Sequence, residues 1–210
     1  MPSTLVHLAL AGLLAAGLLA DAFGLRSLLV VFGLTALPDL DSFLALVIPN
    51  THRAALHTLL LPLVLGALVL IDARREHGWL RSRYGATGVR TAGVAVLAMA
   101  VAGIGPDLFT SGANVFYPVY DQFLVIDGKV VLSNQRGLVQ TFIEFGSEDP
   151  AAGTGVGSTN TTHYDSGVDP VAGSDPANVE RIFPLVRSGW QLLLVVASTI
   201  TLLGRFRDNG

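Results

Sequence analysis

The chain has 210 residues, 51% of them apolar and 14% charged, with a mean hydropathy of +0.57 and a formal net charge of −3. An ordinary soluble domain carries about 25% charged residues, so this composition reads as an integral membrane protein, and its charge offers no footing for nucleic acid. No cysteine is present, which excludes disulfides and thiolate metal sites.

Taken in chain order, Thr4 to Ala20 reads as a membrane helix interrupted only by His7. The opening stretch lacks a basic region ahead of its apolar run, so it is read as a retained first helix rather than a removed signal. Leu25 to Leu37 is a second helix of 13 residues. At 1.5 Å per residue it reaches roughly 20 Å, short of a hydrocarbon core of about 30 Å. Asp39 and Asp41 in "PDLD" are therefore expected below the membrane surface. "SFLALVIP" after them is expected as a re-entrant or interfacial piece, since irregular backbone at that depth needs protein or a watery cavity beside it. Ala54 to Ile71, Thr91 to Leu108 and Ser188 to Leu203 complete the set, each near the length that spans.

Charge orients this map. The loop between the third and fourth helices carries Arg74, Arg75, Arg81, Arg83 and Arg90, and the tail carries Arg205 and Arg207. Both are expected in the cytoplasm by the positive-inside rule. Residues 107 to 187 hold ten acids against four basic residues and are expected outside. Five crossings, with the N-terminus outside and the C-terminus cytoplasmic, reconcile these placements. Trp79, Tyr84 and Trp190 read as interfacial anchors.

The outer segment has its own signals. "QFLVIDGKVVLS" reads as a hairpin about Asp127-Gly128, and "LVQTFIEF" as a third strand or a membrane-surface piece. Gly146 to Asn178 reads as a flexible loop, with an N-glycosylation triplet at Asn160 to Thr162. Asp121, Gln122, Asn134, Gln135 and Arg136 read as ordinary hydrated surface. The sequence thus gives an all-α polytopic membrane protein of about five transmembrane helices with a small extracytoplasmic β-hairpin. Its divisions are a membrane core over 1–120, an extracytoplasmic segment over 121–187, and a last helix with cytoplasmic tail over 188–210.

On that map His7, Asp39, Asp41, His52, His57 and Asp107 fall at the outer ends of four helices, in one leaflet. Carboxylate oxygens with neutral imidazoles suit Zn²⁺, Mn²⁺ or Fe²⁺. His52 and His57 are five apart, about 140° around a regular helix, so they converge on one ion only if His52 lies in an N-terminal turn capped by Asn50 or Thr51. The ligand set expected is His7, Asp39, His57 and His52. Asp41 or Asp107 is expected to take a proton or complete a second metal site, and Arg53 to clamp an anionic substrate.

His7, "PDLD" at Pro38 to Asp41, "HRAALHT" at His52 to Thr58 and "DLFTSG" at Asp107 to Gly112 resemble, in kind and order, the membrane-bound metal-dependent hydrolases of bacteria and archaea. One bacterial branch of that family is described as LexA-binding and inner-membrane-associated, and this chain looks like a haloarchaeal branch. The resemblance covers roughly residues 1–120 and implies a multi-pass membrane protein with a His/Asp metal centre. A fainter likeness in motif order links it to zinc-dependent phospholipase C. One position departs: the family's H-x(3)-D motif has Gly103 where its His stands, and His163 is a candidate replacement.

The function expected is a membrane-embedded, metal-dependent hydrolase, zinc foremost, that acts on a phosphoester or lipid-like substrate through metal-activated water. Its partners are membrane lipids and a small-molecule or lipid substrate. The alternative is a non-enzymatic metal-binding membrane protein, either transporter or scaffold, for intramembrane acids and histidines also mark ion paths.

Overall fold

The computed structural model describes residues 2–128, 130–140 and 156–208. Helix α1 runs Thr4–Leu18, its first turn capped by the Ser3 side chain. Helix α2 runs Leu25–Ala36 and stops where Pro38 sets a 3₁₀ turn, Pro38–Leu40, that leads into the short α3, Asp41–Leu44. Helix α4 is Leu60–Arg74. Helix α5, Trp79–Ala98, breaks at Gly85 (φ 67°), continues through a π-helical stretch at Met99–Ile104 and ends as α6, Gly105–Leu108. Helix α7 is Gly189–Asp208.

Small residues let these helices approach closely, as they do where hydrocarbon offers no hydrophobic drive for association. Ala11 and Ala15 of α1, Val31 of α2, and Val94, Ala95 and Ala98 of α5 form the buried core with Leu19, Phe23 and Leu28. Gly12 is the contact point with α7: a Cβ there would sit 2.7 Å from Ser198 Oγ and 2.9 Å from Leu202 Cδ1. Large apolar side chains instead face outward, among them Leu29, Leu63, Leu68, Leu193, Ile200 and Leu203. That inversion of the soluble pattern suits a lipid surround.

Two helical stretches, Trp79–Leu108 and Gly189–Asp208, are long and apolar enough to cross a membrane. A third is added if Leu25–Ala36 and Pro38–Leu44, bent by 45°, count as one span. About five crossings were expected, and length and composition support two or three. Helix α1 ends at Leu18, and α4 starts at Leu60 rather than Ala54 because residues 51–58 form turns.

The helices leave two chemically different ends. At one end lie the first turn of α1, the α2–α3 bend, the turns before α4, α6 and the start of α7. At the other, Arg90 donates to Leu18 O and Arg205 to Ala20 O. These arginines satisfy carbonyls that a helix C-terminus leaves open.

Two expectations for the outer segment need correction. The hairpin is real but displaced: Val130–Ser133 (β1) pairs antiparallel with Gly137–Gln140 (β2), Ser133 opposite Gly137. The turn is therefore Asn134 to Arg136, not Asp127-Gly128. Ser133 Oγ accepts from the Gln135 and Arg136 amides, and Gly137 takes the left-handed conformation (φ 68°) that closes such a loop. Leu138 to Gln140 of "LVQTFIEF" belong to β2, and residues 141–145 lie outside the described residues. The second correction concerns 146–178. Of this stretch 156–178 is described, and its first part is packed rather than free. Phe123 N donates to Gly157 O at 2.8 Å and Val156 N to Phe123 O at 2.9 Å. Asp121 accepts from the Thr159 amide, the Thr159 hydroxyl and Asn114 Nδ2.

Candidate metal centre

His7 sits in the second turn of α1, 1% exposed. Its Nδ1 lies 2.6 Å from Ala102 O. A carbonyl only accepts, so Nδ1 carries the proton and Nε2 presents a lone pair. Ala102 lies in the π-helical stretch, where the regular i→i−4 ladder is interrupted, and Pro106, four residues on, has no amide to restore it.

His57, fully buried before α4, is fixed in the same manner. Its Nδ1 lies 2.8 Å from Asp41 Oδ2, so in the neutral ring Nε2 is again the free lone pair. The turn that brings it there runs through Asn50 (φ 61°) and Arg53 (φ 64°). Non-glycine residues pay roughly 1–2 kcal/mol for the left-handed region. Here it lets Arg53 O accept from Asn114 N at 2.8 Å while its side chain turns inward.

The carboxylates arrive with one oxygen each already held. Asp39 Oδ2 accepts from Thr4 Oγ1, and Asp107 Oδ1 pairs with Arg53 Nη2. The remaining oxygens face the imidazoles. His7 Nε2 is 3.4 Å from Asp107 Oδ2, and His57 Nε2 is 3.2 Å from the same oxygen and 3.7 Å from Asp39 Oδ1. Ligand atoms of His7, Asp39 and Asp107 lie within 4.8 Å of one another. With His57 neutral, these are converging acceptors that a cation would satisfy; with His57 protonated, its Nε2–H donates to Asp107 Oδ2 at 3.2 Å. Bonds of about 2.0–2.2 Å to a tetrahedral ion put neighbouring ligand atoms about 3.4 Å apart. The three measured separations bracket that edge. A His7/Asp39/Asp107 group, with His57 beside it, is able to hold a metal ion.

The other expected residues lie one step out. His52 Nδ1 is 2.9 Å from Asp41 Oδ1, on the far side of that carboxylate from His57, with the two rings 6.1 Å apart and perpendicular. His52 therefore bonds Asp41, and Asp107 stands where His52 was expected. Asp41 has both oxygens occupied by histidines, the arrangement that fixes a ligand ring's tautomer and direction. Arg53 is 2% exposed and gives its Nη atoms to Asp107, Ser111 and Gly112 O. Its guanidinium lies 4.9 Å from the centre of the Tyr164 ring.

Tyr164 was not singled out by sequence. Its hydroxyl donates to Ser111 O at 2.7 Å, and burial holds the phenol above its ordinary pKa, more than the nearby Arg53 charge lowers it. Its neighbour His163 does not enter the group; its Nδ1 is 3.1 Å from Asn50 Oδ1. Gly103 cannot carry a histidine here, because a Cβ would meet Thr35 O at 2.7 Å.

A cavity of about 370 Å³ opens on this group, with Asp39, His52, Arg53 and Asp107 in its wall. Residues from 165 to 187 and the first turn of α1 form the rest. The side chain of Asp39 is 23% exposed while those of His7, His57 and Asp107 are closed off, so access is past Asp39. Comparison with protein-family models, with curated proteins and with solved structures gives no match.

Proposed function

We propose that the chain is a membrane-embedded, metal-dependent hydrolase of a phosphoester or lipid-like substrate, with its site toward the outer face. The observation that carries this reading is the grouping of His7, Asp39 and Asp107 beside a cavity, with His57 Nε2 3.2 Å from Asp107 Oδ2. These four residues hold a divalent ion, zinc foremost by its preference for mixed N/O tetrahedral sites. Such an ion supplies Lewis acidity to an ester oxygen and acidifies water.

The remaining work falls to the chain. Asp41 orients His57; Thr4 and Arg53 aim the ligating oxygens of Asp39 and Asp107 by holding the others. Arg53, with its Nη atoms engaged, acts here as a positioning residue. His52 lines the cavity with Nδ1 tied to Asp41, which leaves Nε2 to exchange a proton with substrate or water. Residues 165–187 screen the site from bulk water. The membrane arrangement that agrees with the arginine-rich end is multi-pass, with the N-terminus outside and the C-terminus cytoplasmic.

An apolar core of Ala11, Ala15, Leu19, Val31 and Val94 lies between the site and the arginine end. A continuous polar track would favour ion passage; this core favours hydrolysis. Elemental analysis of the detergent-purified protein beside a His57→Ala, Asp39→Ala double variant tests the reading. About one equivalent of Zn, Mn or Fe is expected in the native protein and none in the variant. Absence of metal from both after reconstitution would overturn it.

A further inference from the structure

The site cavity does not end at its polar wall. A second depression of about 570 Å³ adjoins it, bounded by Pro2 and Val6, by Pro106 and Thr110, and by the α7 face that carries Leu194 and Ala197. The two share Pro2, and at two further places they are lined by consecutive residues: Asp107 in the cavity with Pro106 in the groove, and Arg187 with Ser188. An occupant of the groove therefore reaches the site without leaving the protein.

The groove offers mainly apolar surface. Several of its polar groups are already paired: Thr110 donates to Pro106 O, Gln191 Oε1 accepts from Arg187 N, and Ser188 Oγ accepts from Gln191 N. It follows α7 from Trp190 to Ala197, about 10 Å at the helical rise. That helix is one of the two long and apolar enough to span. Trp190 is 81% exposed at its start, where an indole marks the boundary between headgroups and hydrocarbon. So the polar cavity lies at headgroup depth and the groove runs from it into hydrocarbon. Two turns of helix are too little surface for a second copy to hold, whereas about 10 Å takes the upper two-thirds of one lipid chain, which spans a leaflet of about 15 Å.

We infer that the groove is the chain-binding subsite of a membrane phospholipid, whose phosphoester lies in the cavity beside Asp39 and Asp107. This rests on the membrane-embedded hydrolase reading and narrows its substrate to a lipid that enters sideways from the bilayer. Arg187, which lines the cavity and forms no ion pair among the described residues, is the free cation available to the phosphate.

The test uses full-length protein in phosphatidylcholine nanodiscs with a minor fraction of phosphatidylglycerol that bears a diazirine on one acyl chain. Irradiation should label residues 2–6 and 190–197 above the lipid-facing Leu63 and Leu68 of α4. Ala197→Phe, at an exposed position that points a larger side chain at the groove, should cut that labelling about tenfold, the effect of some 1.4 kcal/mol. Leu194→Trp gives a second obstruction should the first variant misassemble. Even labelling of α4 and α7, or labelling unchanged by both variants, would overturn the inference. Metal content and hydrolysis of a soluble phosphodiester, measured on the same samples, report separately on the hydrolase reading. Loss of those with selective labelling intact would sink the hydrolase and keep the lipid groove.

Discussion

Asp41 Oδ2 lies 2.8 Å from His57 Nδ1 with neither residue exposed to solvent, a carboxylate and an imidazole locked together behind the candidate ligand atom. Replacement by Asn keeps the shape and removes the charge. Asp41→Asn should therefore weaken metal affinity about 10–100-fold, the usual cost of losing such a partner. Competition with a chromophoric chelator measures it, and unchanged affinity would show that His57 needs no orientation.

His52 and His57 share that carboxylate but should behave differently. His57→Gln should abolish metal binding. His52→Gln should keep stoichiometric metal and lose about 10²–10⁴-fold in turnover if it moves the proton. Parallel elemental analysis and kinetics of the two variants decide between this assignment and one in which both histidines ligate.

Arg53 and Asp107 are an ion pair with almost no access to water. Arg53→Ala leaves a buried carboxylate uncompensated, which should cost about 3–5 kcal/mol. Tyr164→Phe removes one hydroxyl bond to Ser111 O and should cost about 1 kcal/mol. Thermal unfolding in detergent should rank the two in that order, and excess metal should rescue part of the first loss by neutralising Asp107.

Asp121 governs the attachment of 156–162. Burial raises its pKa, but bonds from the Thr159 hydroxyl and amide and from Asn114 outweigh that and set it below its ordinary 3.8. A depressed folded value means that its contribution is present above 3.8 and is lost only as pH falls through the folded value. Hydrogen exchange over 156–164, corrected for intrinsic rates, should be flat from pH 8 to about 4 and rise below it. Asp121→Asn should remove the protection already at neutral pH.

Gly103→His tests whether a histidine four residues before Asp107 can join the group. With Thr35 O 2.7 Å from the added Cβ, the variant should be destabilised rather than gain a metal ligand. A tighter-binding, equally stable protein would show that α2 can move aside.

Much of this was legible beforehand, and the exceptions have causes. His7, Asp39, Asp41, His52, His57 and Asp107 were picked out because ionisable groups in apolar helices need partners. Which of them ligate was not legible. That Asp107 rather than His52 groups with His7 and Asp39 depends on the left-handed turn at Arg53, which residue spacing does not encode. The hairpin was found one turn early because Asp-Gly is a strong local signal, while Ser133 and Gly137 close a three-residue loop with weaker marks. Tyr164 escaped because a low-complexity stretch was read by composition. Its packing on Arg53 is a long-range contact that composition does not report.

The order in which the parts are made follows from where they lie in the chain. His7, Asp39, His57 and Asp107 all precede residue 108, so the nascent protein holds this whole group with half its length unsynthesised. The wall over them comes from residues 165 to 187, anchored by the Ser3 hydroxyl bond to Leu185 O and by α7 against Gly12. During biosynthesis this polar group is therefore an open cup until the last helix inserts and closes it.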